Sequence, residues 1–162
     1  MIEIEHDVLA GKMQRLGNCL IDSIVIAVIT SLVFVAAGLL YRFSGDDRLL
    51  LWLAEMNGFE AFALVAIINT AYYVFFEWAT AGRTIGKYAT SNRVLRPDGQ
   101  KLTIVDVLLR SLIRLVPFEA LTFIGEFSNG WHDSISKTAV VNIYKYEMAV
   151  RINRQRAEME KA

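Results

Sequence analysis

Cysteine, histidine and net charge are what this sequence lacks. One cysteine and two histidines among 162 residues are too few for a disulfide framework or for a zinc site built within the chain. Lysine and arginine number 17, as do aspartate and glutamate, so the formal net charge is zero. Because nucleic-acid-binding domains are usually basic overall or carry a basic stripe, this balance argues against a nucleic-acid partner. We expect no metal and no cofactor.

Apolar residues are abundant instead. They make up 54% of the chain, and the mean hydropathy is +0.36. A soluble domain of this length could not cover so much apolar surface, which predicts a membrane protein. The expected fold class is mainly α-helical. It has two transmembrane helices, an interfacial or re-entrant helical hairpin and a small cytoplasmic antiparallel β-element, within a single domain over 1–162.

Two apolar segments are long enough to span a bilayer. Residues 16–41 contain one charge, Asp22, and residues 59–78 are apolar over most of their length. Both reach the roughly 20 residues needed for a hydrocarbon core about 30 Å thick. Aromatic side chains near the end of the second span are typical of a belt at the membrane surface: Tyr72, Tyr73 and Trp78.

A polar segment after the second span predicts the β-element. Arg96-Pro-Asp-Gly99 fits a type I β-turn, so residues 86–104 are predicted to form a cytoplasmic hairpin. The β-branched segment 137–144 could add a strand. The remaining residues, 145–162, form a charged tail that is predicted to be helical or frayed.

Residues 104–127 are apolar but interrupted by charges. Asp106, Arg110 and Arg114 are four residues apart, which places them on one face of a helix, and Pro117 breaks the middle of the segment. Each central charge costs about 2.5–3.5 kcal/mol on insertion into a bilayer. We therefore favour amphipathic or re-entrant helices over a third full span, although the choice between two and three spans stays open.

Basic residues are concentrated after the second span. Segment 79–101 holds five basic residues and one acid, whereas the connection 42–60 holds two basic residues and four acids. Since cytoplasmic loops of membrane proteins are enriched in lysine and arginine, segment 79–101 and both termini are predicted to face the cytoplasm.

Asp22 is the most informative charge, because it lies inside the first span. A functional interpretation makes it a cation or proton site, since ionisable groups within spans often mark ion pathways. A structural interpretation makes it a permanently paired carboxylate, with Arg110, Arg114 or the region of Asp133 supplying the partner. Arg15, at the mouth of the span, is expected to reach the lipid headgroups.

Other residues are candidates for packing and lipid contact. Small residues recur every four positions beside Asp22 and predict close helix packing: Cys19, Ser23, Ala27 and Ser31. Arg83 and Lys87 are expected to contact anionic lipid headgroups. Glu77 could pair with Arg83 or Arg110, or ionise freely at the interface.

No enzyme is predicted. The segment 131–138 gathers His132, Asp133 and two serines, but adjacent residues rarely point at a common centre and no oxyanion-hole motif is visible. The segment 82–87 looks like a phosphate-binding loop, yet it is one residue short and Tyr88 replaces the required serine or threonine.

Arg15, Asp22 and Asp133 together form a recognisable pattern. They are similar to the residues that name the RDD family: an arginine at the start of the first transmembrane helix, an aspartate within it and a second aspartate far downstream. The Gly86-Lys87 pair, the Pro-Asp-Gly turn and the Thr-Ala-Val-Val strand also resemble that family, over about residues 10–144. The resemblance implies a mainly bacterial membrane protein with two transmembrane helices and a proposed part in the transport of unidentified ligands.

Two functions are compatible with these features. In the first, the chain is an oligomeric transport component of the bacterial cytoplasmic (inner) membrane that moves cations or protons. Asp22 would be the exchanging carboxylate, tuned by Arg15, Arg110 and Asp133. Two spans cannot enclose a path alone, so this function needs a homo-oligomer or a membrane-protein partner. In the second, the chain is a non-transporting adaptor or assembly factor whose buried charges are structural, and its hairpin or basic tail docks another protein.

Overall fold

The fold combines long helices with one small sheet. A computed structural model describes residues 6–98, 100, 102–115, 133 and 135–160. The described residues are mostly helical, and two antiparallel strands pair in a sheet. The mainly α-helical fold class with a small antiparallel β-element is therefore confirmed.

Two helices are long and apolar enough to cross a membrane: α1, Lys12–Ser44, and α3, Gly58–Ala79. At about 1.5 Å per residue they measure about 50 Å and 33 Å, which exceeds a hydrocarbon core about 30 Å thick. They contain the predicted spans 16–41 and 59–78. A short helix in the connection between them, α2 (Arg48–Glu55), packs on α1. Most apolar side chains of α1 and α3 are exposed within the chain, as lipid-facing residues would be.

Local hydrogen bonds fix the ends of the long helices. The side chain of Asn57 accepts hydrogen bonds from the amides of Phe59 and Glu60, and the Glu60 carboxylate accepts one from the Asn57 amide. This capping box begins α3. At the end of α1, Gly45 adopts φ +73°, and its amide donates to the carbonyl of Tyr41 at 2.8 Å. Glycine adopts this left-handed conformation without steric cost, so the chain can turn there.

The two strands of the sheet are far apart in sequence. Strand β1, Asn92–Leu95, pairs with β2, Ala139–Asn142. The hairpin predicted over 86–104 is therefore wrong: α4, Ile85–Ala89, occupies its first part, and its last residue, Ile104, begins another helix.

Threonine caps begin both helices that replace parts of the predicted hairpin. The hydroxyl of Thr84 accepts a hydrogen bond from the amide of Lys87, which begins α4. Thr103 accepts one from the amide of Asp106, and the Asp106 carboxylate accepts one from the Thr103 amide. Between these two helices the described strand is Asn92–Leu95, and its partner is the distant β-branched segment Ala139–Asn142.

Helix α5, Ile104–Ile113, turns its polar face into the protein. Arg110 is completely buried, whereas Val105 and Leu112 on the other face are 58% and 54% exposed. Residues 104–113 thus have the amphipathic helix that was predicted. The second helix predicted after Pro117 lies outside the described residues.

The N-terminal segment, the sheet and the last helix meet beside the start of α1. A 3₁₀ turn, His6–Val8, is followed by Leu9, which bridges to Val141 of β2. Helix α6, Ile143–Met159, follows β2 directly, so the predicted strand 137–144 is shorter than expected and most of the charged tail is helical.

Candidate functional site: two buried polar clusters

Asp22 is enclosed by three neutral hydrogen-bond donors. Its carboxylate accepts from the Tyr72 hydroxyl at 2.6 Å, the Thr84 hydroxyl at 2.7 Å and the Gly86 amide at 2.8 Å. Asp22 is only 2% exposed. A buried carboxylate needs such donors to replace the water that it loses. We refer to these four residues as the Asp22 cluster, which joins α1, α3 and the start of α4.

Gly86 allows α4 to approach α1. A Cβ atom at this position would collide with the backbone oxygen of Asn18 and lie 2.9 Å from the Asp22 carboxylate. Thr84 links α4 to α1, because its hydroxyl donates to Asp22 of α1 and accepts a hydrogen bond from the Lys87 amide of α4 at 3.4 Å. The close approach of the two helices and the hydrogen bonds of Asp22 therefore depend on each other.

A second buried cluster is made of ion pairs around Glu77, near the end of α3. The Glu77 carboxylate lies 2.5 Å from the amine of Lys87, 3.1 Å from the guanidinium of Arg110 and 3.3 Å from that of Arg114. Glu77 is 1% exposed. The Arg114 guanidinium also lies over the ring of Tyr73, 3.9 Å from its centroid.

Arg110 connects Glu77 to a second carboxylate, that of Asp133. The Arg110 Nη1 atom lies 2.5 Å from Asp133 and also donates to the hydroxyl of Thr138. Asp133 is paired in addition with Arg15 of α1, at 2.8 Å. Six charged residues thus form what we call the ion-pair network: Arg15, Glu77, Lys87, Arg110, Arg114 and Asp133.

The electrostatics of the network favour a fixed arrangement. Removing an ion from water costs several kcal/mol, and this cost is recovered only when good pairing and hydrogen bonds replace the water. Burial lowers the pKa of the Lys87 amine to about 8, although the neighbouring Glu77 carboxylate opposes this, and Arg114 and Arg110 add to the lowering. The network can therefore hold the helices together, because each buried charge lies beside a charge of opposite sign.

The structure separates the predicted charges into these two clusters. Arg15, Arg110, Arg114 and Asp133 belong to the ion-pair network, whereas Asp22 is bonded to neutral donors. The predicted pairing of Asp22 with an arginine is therefore wrong, because hydroxyl and amide donors already occupy its oxygens. The predicted headgroup contact of Arg15 is also wrong: Arg15 is 3% exposed, since Asp133 offers it a buried carboxylate.

The two residues predicted to contact anionic lipid headgroups, Lys87 and Arg83, have different surroundings. For Lys87 the prediction is wrong, because it is 3% exposed and bonded to Glu77. Arg83 is half-buried, with its guanidinium 3.8 Å from the ring centroid of Tyr88, and its lipid contact stays a prediction. Of the partners considered for Glu77, the structure pairs it with Arg110.

The small-residue ladder lies beside the contact between α1 and α3. That contact buries Ile26 against Tyr72 and Tyr73, which are 4% and 6% exposed. The aromatic belt predicted for these two tyrosines is therefore wrong, whereas Trp78 is 65% exposed. The ladder is half-buried at its first position and exposed at the others: Cys19, Ser23, Ala27 and Ser31.

Tyr72 and Thr84 are site residues that the sequence reasoning missed. A threonine three residues before Lys87, at the start of a short segment with glycine, is a recognisable cap signal, but nothing local pointed Thr84 towards Asp22. His132 and Ser134, considered above as a catalytic group, lie outside the described residues. Within the described part of the chain, no group of three or more His, Cys, Asp or Glu side chains could hold a metal ion.

Comparison with known proteins agrees with the pattern of charges. The model of the RDD family matches residues 9–144, a range that contains Arg15, Asp22 and Asp133. No curated protein and no solved structure matches the chain. The resemblance noted in the sequence is therefore confirmed at the level of the family.

Proposed function

Because the chain belongs to the RDD family and is a membrane protein, we propose that it is a membrane adaptor or assembly factor that does not itself transport. One observation carries this proposal: the carboxylates of both buried polar clusters, Asp22, Glu77 and Asp133, are bonded within the protein. The Asp22 cluster and the ion-pair network together join α1, α3, α4, α5 and the residue Asp133 ahead of β2. Such an arrangement suits a rigid framework better than a moving pathway.

An ion that passed by Asp22 would have to replace hydrogen bonds that the protein already makes. Asp22 already accepts three hydrogen bonds, so a cation bound there would have to displace donors that are themselves buried. Breaking a buried ion pair by removing one partner costs about 3–5 kcal/mol. Permanent pairing is therefore the function of these charges that the geometry supports best.

The exposed side of α1 supports contact with another membrane helix. Ser23, Ala27 and Ser31 are exposed, and small residues at this spacing permit close helix approach in lipid. The proposed partner is a second copy of the chain or another membrane protein, within the bilayer of a bacterial cytoplasmic membrane and with both termini in the cytoplasm. The proposed function involves no catalysis and no nucleic acid.

The test combines ion flux with cross-linking. The purified chain in liposomes that contain a pH-sensitive dye should carry no more protons under an imposed potential than empty liposomes. In a Cys19→Ser background in native membranes, Ala27→Cys should form a disulfide-linked complex. The control variant Leu32→Cys, about 140° away around the helix, should not. Proton flux that Asp22→Asn abolishes and that Asp47→Asn, at an exposed residue, preserves would overturn the proposal.

One observation favours the second candidate, proton-coupled transport. The Thr84 hydroxyl lies between Asp22 and the Lys87 amide, and a hydroxyl can either donate or accept. Rotation of that hydroxyl would let Asp22 take up a proton while every heavy atom stays in place. In this candidate Asp22 is the exchanging carboxylate of an oligomer, and the flux experiment gives the opposite result, with Thr84→Val as impaired as Asp22→Asn.

A further inference from the structure

Helix α6 carries an exposed apolar stripe. Four of its large apolar residues are well exposed to solvent: Tyr144 at 70%, Met148 at 64%, Ile152 at 43% and Met159 at 70%. With about 100° between successive residues, all four fall within an arc of about 80°. Isolated exposed apolar residues are common, but a row of them along one side of a helix indicates a surface that is covered in use.

The opposite side of α6 fixes the direction of this stripe. Tyr146 and Ala149 pack against a small core formed by Val8, Leu95 and Val141. The helix is therefore held to the sheet by its inner face, so the stripe points away from the protein.

Basic residues lie nearest the stripe. Lys145, Arg151 and Arg156 are all exposed and fall within about 75° of its centre, whereas Glu147 and Glu158 are farther round the helix. Glu158, about 85° from the centre, is paired with Arg154 at 3.2 Å, which compensates its charge. The surface that contains the stripe is thus apolar with positive edges, which complements an anionic lipid leaflet.

The position of α6 brings this surface close to the membrane. Strand β2, which precedes α6 directly, is bonded to the chain just before α1: the Ala10 amide donates to the Val140 carbonyl at 2.9 Å. Since α1 begins at Lys12, α6 starts beside the point where the first span leaves the bilayer. Residues 145–159 lie beyond the range that the family model matches.

We propose that α6 is an interfacial helix whose stripe inserts into the anionic leaflet at the N-terminal end of α1. Tyr144, Met148 and Ile152 enter the boundary between headgroups and acyl chains, and the three basic residues contact lipid phosphates. The helix fixes the height and tilt of the sheet on the bilayer surface. This inference needs only that the chain spans a membrane, so it holds or fails independently of the transport question.

The test places a polarity-sensitive fluorophore on each side of the helix. The full-length chain, with Cys19→Ser and either Met148→Cys or Asn153→Cys, is labelled and incorporated into nanodiscs of phosphatidylcholine with or without phosphatidylglycerol. Label at position 148 should emit at shorter wavelength and be quenched by spin-labelled lipid when phosphatidylglycerol is present. Label at position 153, on the opposite side, should do neither.

A charge reversal provides the matched variant. Arg151→Glu should weaken quenching at position 148, with a shift of about fivefold or more in the equilibrium between the lipid-bound and free helix. Equal emission and quenching at positions 148 and 153 would overturn the proposal. So would a blue shift at position 148 that needs an added protein and is insensitive to phosphatidylglycerol, because the stripe would then be a protein-docking surface.

Discussion

At the scale of single residues, two carboxylates of the spanning helices are buried by different chemistry. Asp22 is held by neutral donors, whereas Glu77 is held by Lys87 and two arginines. An amide can imitate much of what Asp22 does, because hydrogen bonds to an oxygen do not require a full charge. It cannot imitate Glu77, since Lys87, Arg110 and Arg114 would all lose its negative charge, although Arg110 would still be paired with Asp133. The two acids should therefore respond differently to the same substitution.

The Asp22 cluster gives a graded prediction. Asp22→Ala leaves three buried donors without an acceptor, and each such donor costs about 1–3 kcal/mol. Asp22→Asn keeps one acceptor oxygen, and its amide can donate to the Thr84 hydroxyl. In detergent, Asp22→Ala should lower the melting temperature much more than Asp22→Asn, and the control Asp47→Ala, at an exposed residue that makes no side-chain cap hydrogen bond, should change it little. Equal losses for the two Asp22 variants would mean that the charge, rather than the hydrogen bonds, holds the site.

At the scale of elements, the sequence predicts those helices that are determined by residues close together in the chain. The two spans follow from long apolar runs, and α5 follows from charges four residues apart. The pairing of β1 with β2 does not follow, because the Pro-Asp-Gly turn favours a local hairpin, whereas the observed partner strand, Ala139–Asn142, is distant in the sequence. The partners of Asp22 are hidden for a related reason: Thr84 and Gly86 reach it only after α4 folds back onto α1.

The contact between α1 and α4 is predicted to tolerate no side chain at Gly86. A methyl group there would meet the Asn18 carbonyl and the Asp22 carboxylate, so Gly86→Ala should push α4 away and lower the melting temperature. Gly38→Ala is the matched control, since no atom lies within 4 Å of its added Cβ and alanine favours a helix interior. An unchanged melting temperature for Gly86→Ala would show that α4 does not rest on α1.

At the scale of the whole molecule, the ion pairs connect residues that are distant in the sequence. Arg110 precedes segment 116–132 and Asp133 follows it, yet the two side chains are 2.5 Å apart. Strand β2 then pairs with β1, which follows the second span. These contacts hold Arg110, Asp133 and the sheet together in one part of the molecule. We expect two full spans, α1 and α3, with the polar clusters and both termini on one side of the membrane.

This arrangement predicts the labelling of the protein in cells. In a Cys19→Ser background, Arg48→Cys reports the connection between the spans, and Asn153→Cys reports helix α6. A membrane-impermeant maleimide added to spheroplasts should label Arg48→Cys directly and Asn153→Cys only after the membrane is permeabilised, because basic segments stay in the cytoplasm. Because one span, α3, lies between residues 48 and 153, the two positions are expected on opposite sides of the membrane. Labelling of both variants in intact spheroplasts would place them on the same side and contradict the two-span topology. Labelling of Asn153→Cys alone would keep the two spans and reverse their orientation.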